Sequence, residues 1–276
     1  CRMFKVHHSG FYAWLKAPLS KRAIEDRRVT ELIKHAWLES GRVYGYRKIH
    51  DDLRSLGEIC CPNRIARLAR QAGIRAQIGY KKKPGTYGGK PAIVAENQLG
   101  QVFDRAFPDQ VWVTDITYID TDTGWVYLAA VMDCFSRKVV GWSIHDSLAT
   151  QLVTDALHDA IERRRPSIWD NALLHHSDRG CQYTSDAYQH TLKTLGITCS
   201  MSRTGCCYDN AAMERLFWSV KQEWSNHHSY VDLADARSSI FQYIELFYNR
   251  KRIHQALSYM TPEQYETVHA AQTNVA

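Results

Sequence analysis

The sequence predicts an α/β protein in which a mixed five-stranded sheet with flanking helices follows an all-α, helix-turn-helix-like N-terminal domain. Two observations support this division. Apolar residues recur at helical spacing up to about residue 78, whereas beyond residue 103 short β-rich segments alternate with amphipathic ones. The charge is divided at the same place, since residues 1–100 carry 20 Lys and Arg against 8 Asp and Glu, and residues 101–276 carry 15 against 21.

The composition is that of an ordinary globular chain. Of 276 residues, 45% are apolar and 23% charged, which leaves room for one large or two modest domains. There is no run of about 18 apolar residues and no secretory-signal pattern, so we expect an intracellular chain without a membrane span. None of the eight cysteines has C-x-x-C spacing, which favours reduced structural thiols over a zinc site.

A basic segment without acids spans residues 61–90 and carries eight Lys and Arg. Such a segment joined to a slightly acidic remainder is typical of an arm that binds a polyanion, and nucleic acid is the leading partner. Residues 79–103 are rich in glycine, proline and lysine and form a predicted basic linker. The lysines that we expect along a phosphate backbone are Lys81, Lys82 and Lys83.

Three short helices are predicted within residues 1–78. Residues 20–40 carry apolar side chains at helical spacing, and a second short helix follows a glycine-marked turn and ends at Gly57. The third helix is predicted to begin with Asn63 as its N-cap and to stop at Gly73. Three such helices fit a helix-turn-helix module.

The third helix is also basic. Arg64, Arg67 and Arg70 lie three residues apart, opposite the apolar stripe, and are predicted to share an exposed face that contacts DNA. A merely solvated basic face is the alternative, because three-helix units are common and no base-contact signature is visible.

The remainder of the chain reads as strands and helices in the order βββαβαβα. Three β-rich segments predict an antiparallel meander, and two later short strands alternate with helices, so the sheet is mixed. Residues 232–248 then form a predicted amphipathic helix, followed by a basic tail and a last helix start. The strand segments are QVWVTDITYID, WVYLAAVMDCF, KVVGWSIH, ALLHH and ITCSMS.

Three carboxylates in this region are candidates for chemistry. Asp115 lies in the middle of an apolar strand, where an acid is costly unless it is paired or holds a metal ion. Asp178 falls just past a strand end, and Glu214 lies near the start of a helix. Carboxylate oxygens are suited to Mg²⁺, and three converging acids would suit a two-metal phosphoryl-transfer site.

Each acid also has a structural interpretation that the sequence leaves open. Asp178 precedes Arg-Gly and could cap a turn, and Glu214 could simply favour the positive end of the helix dipole. The remaining acids of the region are assigned to turns and caps, namely Asp120, Asp122, Asp133 and Asp209.

Four ordered blocks of the sequence resemble insertion-sequence transposases of the OrfB type, which belong to the retroviral-integrase superfamily with its DDE acid triad. The 35 residues between Asp178 and Glu214 match the spacing of that group, and Lys221 follows Glu214 by seven positions, where the group carries a basic residue. The resemblance covers nearly the whole chain. The four blocks are VWVTDITYI, HHSDRGCQYTS, NAAMERLFWSVKQE and FYNRKRIHQALSYMTPEQ.

The resemblance implies an RNase H-like fold, with residues 104–228 as the integrase catalytic core and residues 229–276 as a C-terminal helical extension with a basic tail. It implies Asp115, Asp178 and Glu214 as catalytic ligands of two Mg²⁺ ions, with Mn²⁺ able to substitute. The implied reaction is cleavage of insertion-element ends and joining of DNA 3′-hydroxyls to a new phosphodiester.

Partners are implied as well: double-stranded DNA in the form of terminal inverted repeats and target DNA, further copies of the chain on that DNA, and the product of an upstream frame. Because the chain starts at Cys1 rather than Met, we expect a fragment or the downstream part of a longer product. The implied location is the bacterial cytoplasm, at the nucleoid.

Several basic residues are candidate DNA contacts. Lys221 lies two helical turns after Glu214 and is placed to reach a phosphate or base at the reacting end. The histidines at 175 and 176 are more simply explained by packing than by DNA contact. Arg179, beside Asp178, is a candidate to orient DNA. Contacts to DNA or to a neighbouring subunit are predicted for Arg250, Lys251 and Arg252.

Two other functions remain open at this stage. One is a metal-dependent nuclease of the same fold without strand joining. The other is a non-catalytic DNA-binding regulator that uses only the basic N-terminal third, although the intact acid triad argues against an inactive remnant.

Overall fold

The computed structural model describes Met3 and residues 6–77, 94–168, 173–203 and 206–273. The chain divides into two compact units, Cys1–Gln77 and Ile78–Ala276. The predicted DNA contacts Lys81, Lys82 and Lys83 lie outside the described residues, as does most of the predicted linker.

The first unit is all-helical, as predicted. Its core is formed by Ile33, Ile49 and Ile65, which come from three different helices and are almost fully buried. Packing of these three helices against one another forms the helix-turn-helix-like module. A further helix precedes them and buries none of its residues. The helices are α1 (His8–Lys16), α2 (Lys21–Glu39), α3 (Tyr46–Ser55) and α4 (Pro62–Gln71).

Side-chain capping describes the start of α2 but not that of α4. Ser20 caps α2, since its hydroxyl accepts a hydrogen bond from the backbone N–H of Ala23 at 3.1 Å. The predicted cap at Asn63 is wrong, because α4 begins at Pro62 with Cys61 as its N-cap. Proline is favoured at the first helical position, where its fixed φ fits the helix and its missing N–H has no partner to lose.

The second unit is built on a five-stranded mixed sheet, and the predicted order of strands and helices is confirmed. The spatial order of the strands is β3-β2-β1-β4-β5, in which the first three pair antiparallel and β1, β4 and β5 pair parallel. The strands are β1 (Val111–Thr121), β2 (Gly124–Asp133), β3 (Val139–His145), β4 (Leu174–Ser177) and β5 (Thr198–Met201).

The central strand β1 is paired unequally on its two sides. It pairs with β2 from Trp112 to Thr121, but with β4 only from Val111 to Val113. Beyond Val113 the two parallel strands therefore separate. In open α/β sheets, binding sites lie outside the carboxyl ends of parallel strands, so the end of β4 beside β1 is the expected position of a site.

Helices cover both faces of the sheet. On one face α5 packs closely against β3, because a Cβ at Gly141 would lie 2.4 Å from both the Ala156 carbonyl oxygen and the Ala160 nitrogen. Helix α7 packs against β1. The helices of the second unit are α5 (Thr150–Ile168), α6 (Asp186–Thr194), α7 (Ala211–Glu223), α8 (Leu233–Phe241) and α9 (Pro262–Thr273).

The predicted helix over residues 232–248 changes its geometry along its length. It begins as α8 and continues as a π-helix over Gln242–Tyr248. The π-helical part buries Tyr243 and Phe247 beside Trp224, with ring centroids 5.6 and 6.4 Å from that indole. Helix periodicity in the sequence does not distinguish these two forms, because both place apolar residues on one face. No helix in the described part of the chain is both long and apolar enough to cross a membrane.

Candidate active site

Asp115 lies on β1, two residues beyond the last residue that pairs with β4. Its carboxylate accepts a hydrogen bond from the backbone N–H of Ile116 at 2.8 Å. Burial, and then the charges of Asp178 and Glu214, raise the pKa of Asp115 to about 8, while the nearby ammonium of Lys221 acts in the opposite direction. Burial and the neighbouring acids therefore disfavour the charged form of Asp115.

Asp178 follows β4 directly, because that strand ends at Ser177. Its Oδ1 accepts a hydrogen bond from the Gly180 N–H at 2.9 Å, so the turn interpretation also describes this residue correctly. A Cβ at Gly180 would lie 3.0 Å from the same oxygen, which explains why a glycine is favoured there. Burial raises the pKa of Asp178.

Glu214 lies in the first turn of α7, on its exposed face. Partial burial of the carboxylate raises its pKa. Within the described residues it makes no hydrogen bond or ion pair. The opposite face of α7 is buried in the core through Met213, Leu216 and Val220, so the helix is firmly held while the Glu214 side chain is left unrestrained.

The three acids come from separate elements, and the charges of Asp178 and Glu214 both raise the pKa of Asp115. Among the described residues, none of the three is in an ion pair, and no group of three or more His, Cys, Asp and Glu side chains is placed to hold a metal ion. The donor chemistry nevertheless fits a divalent cation, because Mg²⁺ takes carboxylate oxygens and excess buried negative charge requires a positive partner.

Lys221 lies on α7, seven residues after Glu214, as the sequence indicated. Its Nζ is 4.0 Å from the ring centroid of Tyr118, a residue of β1. Burial lowers the pKa of Lys221, and the charge of Asp115 opposes that shift. The ammonium therefore lies near the acids without forming an ion pair with one of them.

The histidines before Asp178 are structural. His176 is fully buried, with Nδ1 2.8 Å from Ser200 Oγ and Nε2 3.1 Å from Ser202 Oγ. His175 is also fully buried, 3.2 Å from the Tyr188 hydroxyl, and burial lowers its pKa to about 3. Both are neutral parts of the core.

The arginines of α4 are not equivalent. Arg64 and Arg67 both bind Asp26 of α2, with nitrogen to oxygen distances of 2.6 and 2.8 Å, and are half-buried rather than on a free exposed face. The predicted shared DNA-contact face is corrected in this respect, because two of its three members hold α4 against α2. Arg70 is exposed, as predicted.

Arg252 is corrected more strongly. It was predicted to touch DNA or a neighbouring subunit, but only 8% of the residue is exposed and its guanidinium binds both carboxylate oxygens of Glu223 at 2.6 Å. Ser219 of α7 accepts a further bond at 3.1 Å. Arg252 thus fixes the C-terminal end of α7.

The other predicted basic contacts lie at the surface or near the site. Arg250 is exposed and has its Nε 3.5 Å from Glu263, and Lys251 is exposed. Arg179, next to Asp178, donates from its Nε to the Ser202 carbonyl oxygen at 2.7 Å, which fixes its side chain along the loop after β5.

Sequence reasoning missed the residues that position α7. Asn210, just before α7, donates from its side-chain amide to the Thr114 carbonyl oxygen at 3.1 Å and joins the helix start to the residue before Asp115. Asp209 is not a cap but a buried acceptor for the backbone and guanidinium of Arg203. Asp209 and Asn210 precede a helix and are residue types that often cap helices. The sequence therefore suggested local capping bonds and gave no sign of the bonds these residues make to distant parts of the chain.

Comparisons with known proteins agree with this architecture. Integrase core domain models match residues 105–207 and 195–262, and an HTH-like domain model matches residues 24–83. Solved structures found in the comparison include the HTLV-2 integrase catalytic core domain in complex with magnesium, at 18% identity and a TM-score of 0.44, covering 58% of this chain and 97% of that chain.

Relatives found by sequence share a much higher identity with this chain. The transposase InsF for insertion sequence IS3A of Escherichia coli strain K12 is 38% identical over 274 residues, which are 98% of this chain and 94% of the relative. An uncharacterized 31 kDa protein of insertion element IS600 from Shigella sonnei is 36% identical over 265 residues, or 96% of each chain. The chain therefore belongs to the IS3 family of insertion-sequence transposases, DDE-type polynucleotidyl transferases that combine an HTH-like domain with an integrase core.

Proposed function

We propose that this transposase cleaves the ends of its insertion element and joins the freed DNA 3′-hydroxyls to a new phosphodiester, with Asp115, Asp178 and Glu214 as its catalytic acids. The observation that carries the proposal is the position of the acids. Asp115 and Asp178 lie where β1 and β4 separate, Glu214 approaches from α7, and no ion pair among the described residues neutralises them.

The same acids are the proposed ligands of two Mg²⁺ ions, which Mn²⁺ replaces. When bound, the ions supply the positive charge that stabilises the attacking and leaving oxygens of an in-line displacement at phosphorus. The chain itself contributes rigid placement. Asn210 and Arg252 hold the two ends of α7, so Glu214 and Lys221 are presented from a fixed helix.

Lys221 is the proposed contact to a phosphate near the reacting end. Its ammonium is already partly desolvated beside Tyr118, so little hydration has to be removed when a phosphate oxygen binds. Arg179, held by the Ser202 carbonyl next to Asp178, is placed to contact the same strand.

Duplex recognition is proposed for exposed basic residues of the first unit such as Arg70. It is also proposed for Lys81, Lys82 and Lys83, which follow that unit in the sequence. The DNA partners are the terminal inverted repeats and the target, and several copies of the chain, together with an upstream-frame product, are proposed to assemble on them. Binding through phosphates should weaken steeply with salt. The logarithm of the binding constant should fall with the logarithm of the salt concentration, with a slope of about 0.9 for each phosphate contact.

The test is a joining assay with a short duplex that ends in the inverted repeat, a supercoiled target and Mg²⁺. Joined products that depend on all three acids support the transposase. Cleaved but never joined ends would favour the metal-dependent nuclease, and salt-sensitive binding without cleavage would favour the regulator. Arg70→Ala should weaken duplex binding, whereas Arg28→Ala, at an exposed arginine of the same unit that is paired with Glu25 and Glu58, serves as a matched surface control.

A further inference from the structure

A row of exposed aromatic rings and cations begins at Glu214 and leads away from the acids. We name it the aromatic track. It consists of Arg215, Trp218, Lys221, Tyr118 and Trp125, of which the first three belong to α7 and the last two to β1 and β2.

The order along the track follows from helix geometry. Glu214, Trp218 and Lys221 are spaced at i, i+4 and i+7, so they form one stripe along α7, and about 10 Å separates the first Cα from the last. The track therefore starts at the proposed catalytic acid itself. A strand whose phosphate reacts at Glu214 can continue along this stripe.

Contacts join the members of the track into two groups, which helix α7 connects. The guanidinium of Arg215 lies 4.9 Å from the Trp218 ring centroid, and the Lys221 ammonium lies 4.0 Å from that of Tyr118. Tyr118 meets Trp125 edge-on at 5.1 Å. Despite these contacts the three rings stay exposed, at 48% for Trp218, 40% for Tyr118 and 52% for Trp125.

Rings and cations in alternation are suited to a nucleic acid strand. Bases stack on aromatic side chains, whereas Lys and Arg follow the phosphates, and this combination holds single strands with little dependence on sequence. Paired bases are covered by their neighbours in the stack and cannot use such rings. The ligand that fits the track is thus an unpaired strand rather than an intact duplex.

Charge limits the track at its far end. Asp120 lies directly opposite Trp125 in the β1–β2 register, and Asp146 and Asp232 line the groove beside Trp125. These carboxylates repel phosphates, so the strand is confined to the part between Glu214 and Trp125. The ligand position on α7 and β1 is therefore limited by Glu214 at one end of the track. At the other end it is limited by the carboxylates of Asp120, Asp146 and Asp232.

We propose that the aromatic track binds the unpaired end of a DNA strand next to the reacting phosphate. The proposal rests on the proposed function for its choice of DNA, but strand binding by the track does not require catalysis. It implies that the element end is frayed over a few nucleotides when it enters the active site, with its bases stacked on Trp218, Tyr118 and Trp125.

The test measures binding of a fluorescent oligothymidylate of about 12 nucleotides and of a duplex of equal length, by anisotropy, with a chelator present. Trp218→Ala, Tyr118→Leu and Trp125→Ala should each weaken binding of the single strand by about fivefold or more. Duplex binding should stay within about twofold. Trp218→Phe, which keeps a ring, should retain most of the affinity.

Phe241→Ala is the matched control, because Phe241 is an aromatic residue of the same unit, 48% exposed on α8, outside the track. Unchanged strand affinity in all three track variants would overturn the proposal. So would a change of oligomeric state with unchanged strand affinity, since the rings would then form a protein interface. Since catalysis is blocked throughout, a transposase that fails to join DNA leaves this result intact.

Discussion

Two clusters of acids in the second unit differ in the cations that face them. The first, the strand-end cluster, contains Asp115, Asp178 and Glu214. The second, the network cluster, contains Asp109, Asp133 and Glu266. Each cluster contains an acid whose pKa is raised by burial, to about 8 for Asp115 and to about 7 for Asp133. A raised pKa alone therefore does not distinguish a catalytic acid from a structural one.

The network cluster is neutralised within the protein. Arg164 binds Glu266 and lies 3.6 Å from Asp109, and Lys138 Nζ is 3.1 Å from Glu266. The Ser136 hydroxyl donates to Asp133 at 3.0 Å. These contacts join α9 to the strand ends of the sheet. No comparable ion pair among the described residues serves the strand-end cluster, and this difference in pairing supports the proposal that the cluster binds an external cation.

The largest expected difference between the clusters is in activity. Asp115→Asn should reduce strand joining by about a thousandfold or more, because it removes a ligand from a site whose cations stabilise several kcal/mol of transition-state charge. Asp178→Asn and Glu214→Gln should behave likewise, with DNA binding within a few fold. Asp133→Asn, measured at a temperature where it stays folded, should join DNA at close to the normal rate. Equal losses of strand-joining activity from Asp115→Asn and Asp133→Asn would show that the two clusters do not differ in their role in catalysis.

The network cluster should dominate stability instead. Arg164→Met leaves Asp109 and Glu266 without their shared guanidinium and should lower the free energy of unfolding by about 3–5 kcal/mol. Arg250→Met is the control, because its pair with Glu263 is exposed and such pairs contribute at most about 1 kcal/mol. Urea unfolding measures both. Similar losses from the two variants would show that burial of the network is not what makes it stabilising.

A divalent cation should stabilise the protein through the strand-end cluster only. At a hundredfold excess of Mg²⁺ over its Kd, the gain is about 2.7 kcal/mol, which raises the Tm. Asp115→Asn and Glu214→Gln should lose this rise, whereas Asp133→Asn should keep it. Thermal unfolding with and without Mg²⁺ gives the answer, and a rise that persists in Glu214→Gln would exclude this acid as a ligand.

The pH dependence of stability should reveal the buried acid of the network. The pKa of Asp133 is raised to about 7 in the folded state from an ordinary value near 3.8, so the folded chain binds this proton more tightly. Its contribution is full below about pH 4 and is lost as the pH rises to about 7, by up to about 1.4 kcal/mol per unit. Asp133→Asn should flatten the plot of urea unfolding midpoint against pH between about pH 4 and 7. An unchanged slope in this variant would contradict the assignment of the pH dependence to Asp133.

Much of the fold could be predicted because its signals are local. Alternation and apolar runs placed all five strands, and helical spacing placed α2, α3, α6 and α7. Among the acids, Asp115 was notable because an unpaired carboxylate in a central strand has no local explanation. Asp178 and Glu214 were candidates that also had local explanations, and the spacing shared with related transposases was what favoured a catalytic interpretation of both.

The sequence by itself determined which residues carry charge and which elements carry them, since propensity and periodicity act between neighbours. Only the tertiary structure decided how those charges are used. Asp26 binds Arg64 across 38 residues and Glu223 binds Arg252 across 29, so two basic residues that looked like DNA contacts hold helices in place. Which charge becomes buried and paired depends on long-range packing, because burial removes the water that would otherwise solvate each charge separately.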